Sequence, residues 1–529
     1  MSALLVTGGA SLGDVPCSKD TMRRASKQMV EETVTEVKAK FKSNLKERNL
    51  ILYIDGKSIS EASEAGQVVK KRIAILGKTH EMEKEQLLAV PVTKSNSGVD
   101  QFEAVKKVIE DWELEPHILG CAFDTTADNT GKHRGLIVRI EKWLNRPLLW
   151  FPCPHHHYEL HPKKVARSIY GATTNPEEII YKKISNSWGS LLEEGINYEN
   201  LVLFDWEGNS SEFLKEQAER NLVVLKTLYE AKTFPRDDYR QLCELNLVWL
   251  GGCAAVKDFK MKVLGAHHHA RFMMQAIHSL KASMLQNQLD VLSEEEKEQV
   301  SRVAEFVGLF HGVWFLSCSL ASSAPALQLS SIVEMKQYSQ VNPEVAQTVL
   351  ASMAGHLWPL TEKSVVFALT DESLPDSERQ ELAKKLFKTQ KPIQFKFGRP
   401  EFPPIMDESQ YPDSAWQSGE TPKLETFIGP ESWFLLDQLG IKDADTEWLQ
   451  LSPDVWSLFS GYKMLLSFTK NTTIVNDPAE RAVALMSDFR DRVQDEQQCQ
   501  DTLIAVAEHR KLFPRDGTKE SKERQLKKS

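Results

Sequence analysis

Apolar and polar positions alternate with different periods along the chain, and the changes of period predict its elements. Residues 21 to 49 are polar, with Met29, Val30, Val34 and Val37 spaced for one face of a helix. From Leu50 the pattern becomes strand-like. LILYID (50 to 55), RIAILGK and LLAVPVTK are apolar runs, and GKSISEASEAGQ between the first two reads as a turn, which predicts a three-stranded antiparallel meander. Phe102, Val105, Val108, Ile109 and Trp112 predict a helix over 102–112. ILGCAFD is a near-continuous apolar run of buried-strand character, followed by a predicted helix over 135–144 and a fifth strand in PLLWFPC.

The remaining length is mostly helical in pattern. Amphipathic segments are predicted at about 212–232, 236–256, 266–288, 292–320, 329–355 and 376–388. The Pro-rich stretch 400–423 reads as a loop, helix-like segments resume from Glu431, and AERAVALMSDFRDRVQDEQQ predicts one helix over 479–498. At 529 residues the chain exceeds the size of a single core, so two or three structural units are expected. The β-β-β-α-β-α-β order is the ribonuclease-H-like arrangement. The expected fold is α/β plus all-α: a ribonuclease-H-like mixed sheet interrupted by a large helical insertion domain. Its expected parts are an N-terminal helical segment (1–49), a first part of the sheet domain (50–200), the helical insertion (201–430), a last part of the sheet domain (431–508) and a basic tail (509–529).

Three acids suggest the chemistry. Asp55 and Asp124 each follow a predicted strand, where rigid backbone can aim a carboxylate at a shared metal, and Glu480 lies far downstream in a predicted helix. Aspartate after a strand is also a common turn residue, because its side chain caps the local backbone. In a ribonuclease-H-like sheet the first acid lies on the first strand and the second at the end of the fourth, the places that Asp55 and Asp124 occupy. Asp477 is a rival to Glu480 for the third position. Acids of this kind would hold two divalent ions, for which Mg2+, or Mn2+, suits the oxygen ligands.

In order along the chain, several local motifs resemble those of the hAT superfamily of DDE transposases. Cys153-Pro154-His155-His156 is similar to the CxxH motif that follows the second acid, and His269-Ala270-Arg271-Phe272 to the Arg-Trp motif, with Phe in place of Trp. Asp477-Pro478-Ala479-Glu480-Arg481 resembles the segment that contains the third acid. The resemblance implies a catalytic triad of Asp55, Asp124 and Glu480 that cleaves phosphodiesters and transfers DNA strands. It implies a structural role for Cys153 and His156 and a DNA-phosphate contact for Arg271. A tryptophan of the insertion, such as Trp249 or Trp314, would correspond to the aromatic that stacks on a flipped base. The chain departs from the family pattern in having no Cys/His set before Asp55 that could form the BED-type zinc finger; only Cys17 lies there.

Composition narrows these readings. The seven cysteines lack paired CxxC spacing, which suits a reducing compartment. No apolar run approaches the roughly 20 residues needed to span a bilayer, and a nuclear or cytoplasmic protein without membrane attachment is expected. A net charge of −9 sits awkwardly with nucleic-acid binding unless the basic residues concentrate on one face. From Arg510 to Ser529 eight Lys or Arg face three acids, a pattern of a solvated tail. The run CPHHHYELH invites a zinc reading, although adjacent histidines on a strand point to opposite faces. Gly8, Gly9 and Gly13 have the wrong spacing for a dinucleotide-binding turn. Two functions therefore stand as expectations: a DNA-processing DDE enzyme, expected to form a homo-oligomer, or a catalytically silent transposon-derived module acting through protein interaction or dimerisation.

Overall fold

A computed structural model of the chain describes residues 19–63, 66–171, 179–262, 264, 273–407, 410, 421–489, 493 and 495–512, with their side chains except at 19, 60–63, 66–67, 484, 487–489 and 512. Arg271, the run His267–His269 and residues 513–529 of the tail lie outside the described residues. The chain forms two compact units: Met1–Trp150 together with Asn476–Ser529, and Phe151–Val475. The first is thus discontinuous in sequence. Residues 151–200 and 431–475, which the sequence pattern attaches to the sheet domain, group with the helices instead.

The strands are β1 (Leu50–Ser63), β2 (Gly66–Thr79), β3 (Gln86–Ala89), β4 (Val92–Thr93), β5 (Ile118–Phe123) and β6 (Leu149–Pro152), the last beginning at the end of the first unit's N-terminal part. The mixed sheet has the order β3-β2-β1-β5-β6, with β4 pairing β2 beside β3. β1 runs antiparallel to β2 and parallel to β5. All six residues of β5 are buried, as its unbroken apolar run requires for a strand covered on both faces. The stretch predicted as a turn, GKSISEASEAGQ, instead extends both strands, which pair from Leu50↔Thr79 to Ser63↔Gly66. An antiparallel ladder is held by backbone bonds and needs apolar side chains only on a covered face. Here Ile59 is buried while Gly56 and Ser58 are exposed, the alternation of a one-sided ribbon.

The N-terminal helix α1 (Lys19–Ser43) buries Val34, Val37 and Phe41, whereas Met29, expected on the same face, is exposed. Helix α2 (Gly98–Asp111) is capped by Ser97, whose hydroxyl accepts from the Asp100 amide. After β5 come the single turn α3 (Ala127–Thr130) and α4 (Leu136–Leu144), which ends at Asn145 in the left-handed conformation. The single helix expected over 479–498 is two helices, Asp477–Phe489 and Glu496–Leu512. Asp495 starts the second: its carboxylate accepts from the Gln498 amide and its carbonyl from the Cys499 amide.

Both closing helices belong to the sheet unit. The Asp477–Phe489 helix packs on β1 and β2, and the Glu496–Leu512 helix packs on α1 and β3. Gln500 imitates a strand neighbour, accepting from the Val90 amide at 2.7 Å and donating to the Val90 carbonyl at 2.9 Å. The buried guanidinium of Arg72 makes two bonds to Glu496, at 2.8 and 3.0 Å, and a third to the Val90 carbonyl at 3.0 Å.

The second unit is helical. The helices Glu212–Ala231, Asp237–Gly251, Met274–Met284 and Asp376–Lys388 fall within or close to predicted segments, and Pro154–Tyr170 and Ile179–Glu194 precede them. The segment 329–355 is divided into Ala324–Tyr338 and Pro343–Met353, because Asn342 caps a new helix whose first residue is proline. Glu294–Phe306 runs through a π-helical turn, Val307–His311, into Gly312–Ser317. The carbonyls displaced by that turn are satisfied from a neighbouring helix: Asn221 donates to Gly308 and Leu309, and Gln217 to Leu309. Trp249 and Trp314 are both buried in this core, and Trp314 donates to Glu334 at 2.8 Å.

Candidate functional site

Register brings two of the three acids together. β1 and β5 are parallel, and their last paired residues are Ile54 and Phe123. Asp55 and Asp124 each come next in the chain, so they leave the paired region at the same level of the sheet. One carboxylate oxygen of each lies within 4.8 Å of the other, and both residues are buried. Asp55 is not at a strand end as expected from sequence: β1 continues beyond it, with Asp55 opposite Ala74 of β2. What ends there is the parallel partner, β5, at Phe123.

Asp124 is held by its own loop. Its Oδ1 accepts from the Thr126 amide at 2.9 Å, the Thr126 hydroxyl at 2.6 Å and the Asn129 side-chain amide at 2.6 Å. The loop has little freedom, because a Cβ on Gly98 would overlap the Asp128 carbonyl and one on Gly135 the Asn129 carbonyl. Thr126 and Asn129 are not among the site residues expected from the sequence pattern. The signal was present in Asp124-Thr125-Thr126, since an aspartate commonly accepts from the amide two residues on.

Glu480 sits in the first turn of the Asp477–Phe489 helix, which packs on the strand that carries Asp55, and is buried, as is Asp477. Among the described residues Glu480 does not join Asp55 and Asp124 in a set of three ligand atoms within 4.8 Å. The helix is tied to the acid-bearing strand by Asn476, whose side-chain amide donates to the Ile54 carbonyl at 3.3 Å.

The Cys153 and His156 pair lies in the helical unit. Cys153 is the residue before the Pro154–Tyr170 helix and is buried, with Pro154 in the first turn. The histidines of CPHHHYELH are therefore on a helix and not on a strand, so His157 and His161 share a face one turn apart. Both rings are fully buried, and none of their four nitrogens has a hydrogen-bond partner. Burial pushes their pKa values well below the ordinary range, which keeps them neutral. His155 differs: its Nε2 lies 3.2 Å from the Phe315 carbonyl and its Nδ1 3.1 Å from the Tyr239 hydroxyl, a braced structural position.

The donor chemistry of the aspartate pair fits a hard divalent cation. Two like charges this close repel, and an ion with oxygen ligands lowers the energy of both. No described helix is long and apolar enough to cross a membrane. No family model matches the chain, and no curated protein matches it.

Proposed function

We propose that the chain is a metal-dependent phosphodiester-processing protein of ribonuclease-H-like, hAT-transposase-like type, acting on DNA. The observation that carries this reading is the approach of Asp55 and Asp124 at matched register on adjacent parallel strands. Mg2+ or Mn2+ bound there would polarise the phosphodiester and activate a water or a 3′-hydroxyl. Asp55 and Asp124 would supply the ligands, and the buried Glu480, on a helix packed against β1, is the third acid of the proposal. The hydrogen bonds on Asp124 keep its carboxylate in one orientation before an ion or substrate arrives, so that reorganisation during reaction is small.

Purified protein should nick DNA only with a divalent ion, and Asp55→Asn should abolish both nicking and Mn2+ binding while its circular dichroism stays unchanged. Nicking at the parent rate by Asp55→Asn would remove the proposal. One observation favours the second reading, a catalytically silent interaction module: Glu480 stands outside the 4.8 Å set formed with Asp55 and Asp124. On that reading Glu480→Gln leaves every measurable property of the aspartate pair untouched, whereas in the catalytic reading it suppresses nicking.

A further inference from the structure

All three hydrogen bonds that the Thr126–Asn129 turn makes to the Asp124 carboxylate fall on one oxygen, Oδ1. A carboxylate only accepts, so Asn129 must present its NH2 to Asp124, and its own Oδ1, buried, has no hydrogen-bond partner. Saturating one oxygen with three donors leaves Oδ2 as the oxygen through which Asp124 can meet a cation. Both oxygens cannot be drawn onto one ion without breaking that set of bonds. Mg2+ and Mn2+ accept such single-oxygen ligation in a tight octahedron. Ca2+ takes six to eight oxygens and commonly uses carboxylates in pairs of oxygens.

We propose that Thr126 and Asn129 are positioning residues that make Asp124 a one-oxygen ligand, and that this clamp selects Mg2+ or Mn2+ over Ca2+ at the Asp55–Asp124 site. The proposal rests on the metal-dependent reading above and adds to it a cause of cation choice.

The test uses the full chain with Mn2+ as probe, titrated calorimetrically, and Ca2+ as competitor. The parent protein should bind Mn2+ and resist Ca2+. Thr126→Val and Asn129→Ala should each weaken Mn2+ binding about 10- to 100-fold, the range typical for removal of a group that orients a metal ligand. The ratio of Ca2+ to Mn2+ affinity should rise in both, and Thr126→Ser, which restores the hydroxyl, should return to the parent values. A parent protein that binds Mn2+ through Asp55, together with folded Thr126→Val and Asn129→Ala variants of unchanged affinity and selectivity, would overturn the clamp while leaving the metal site standing. If Asn129→Ala fails to fold, Thr126→Val alone decides, since it keeps the backbone bond and removes one hydroxyl. A parent protein that binds no Mn2+ overturns both readings.

Discussion

The side-chain amide of Asn476 donates to the carbonyl of Ile54 across a sequence separation of 422 residues. Ile54 is the residue before Asp55, and Asn476 also caps the Asp477–Phe489 helix by accepting from the amides of Ala479 and Glu480 through its carbonyl. A single buried side chain therefore links the strand that carries one acid to the helix that carries another. Asn476→Ala should cost about 1–2 kcal/mol, because it leaves the buried Ile54 carbonyl without this donor. Urea unfolding of the variant measures it; an unchanged midpoint would show that the bond contributes nothing.

Arg72 and Glu496 make a second link of this kind. The guanidinium is fully buried, while the Glu496 side chain is 44% exposed. Glu496→Gln removes the negative charge that accepts two bonds from this buried guanidinium. Breaking a fully buried pair costs about 3–5 kcal/mol, and the exposure of Glu496 reduces the expected loss to about 2 kcal/mol. Denaturant melts in low and high salt should both show it, because the guanidinium side of the pair is shielded from screening.

Buried histidines should make stability depend on pH. Burial lowers His311 to about 3 and His356 to about 4, from an ordinary 6.5. Below pH 6.5 the unfolded chain takes up protons that the folded chain refuses, so their contribution is complete above 6.5 and is lost as pH falls through 4 and then 3. His311→Leu should flatten the fall in melting temperature below pH 6.5. At pH 7 it should cost little, since neither ring nitrogen of His311 has a hydrogen-bond partner to lose.

Glu334 should act with the opposite sign. Burial raises it from 4.5 to about 6, against the lowering effect of its bond from Trp314. Its contribution is complete below pH 4.5 and is lost as pH rises through 6, because the unfolded chain ionises first. Glu334→Gln keeps an acceptor for Trp314 and removes this loss. The variant should gain in melting temperature relative to the parent at pH 8 but not at pH 4.

Gly308 lies in the π-helical turn against the ring of Trp249, and a Cβ there would overlap the ring carbons. Gly308→Ala should destabilise the helical unit by about 1–3 kcal/mol, the usual cost of overpacking a core. A thermal melt with no shift would mean that the Trp249 ring moves aside freely.

The features legible in the residue order are local. Apolar runs specify β5 and the first half of β1, the helical period specifies α2 and most helices of the second unit, and both aspartates are visible at the ends of apolar runs. Each of these follows from which face of a short segment is buried, and the order of neighbouring residues encodes that directly. The pairing of Ile54 with Phe123, which is why Asp55 and Asp124 meet, is set by packing between distant segments. Long-range packing also sets the extension of the β1–β2 hairpin through a polar stretch, the start of a second closing helix at Asp495, and the helix begun by the three histidine positions after Pro154. Register and pairing across hundreds of residues depend on the summed free energy of contacts between distant segments. No local period carries that sum, so Asn476 reaching Ile54 and Glu496 reaching Arg72 became visible only in the folded chain.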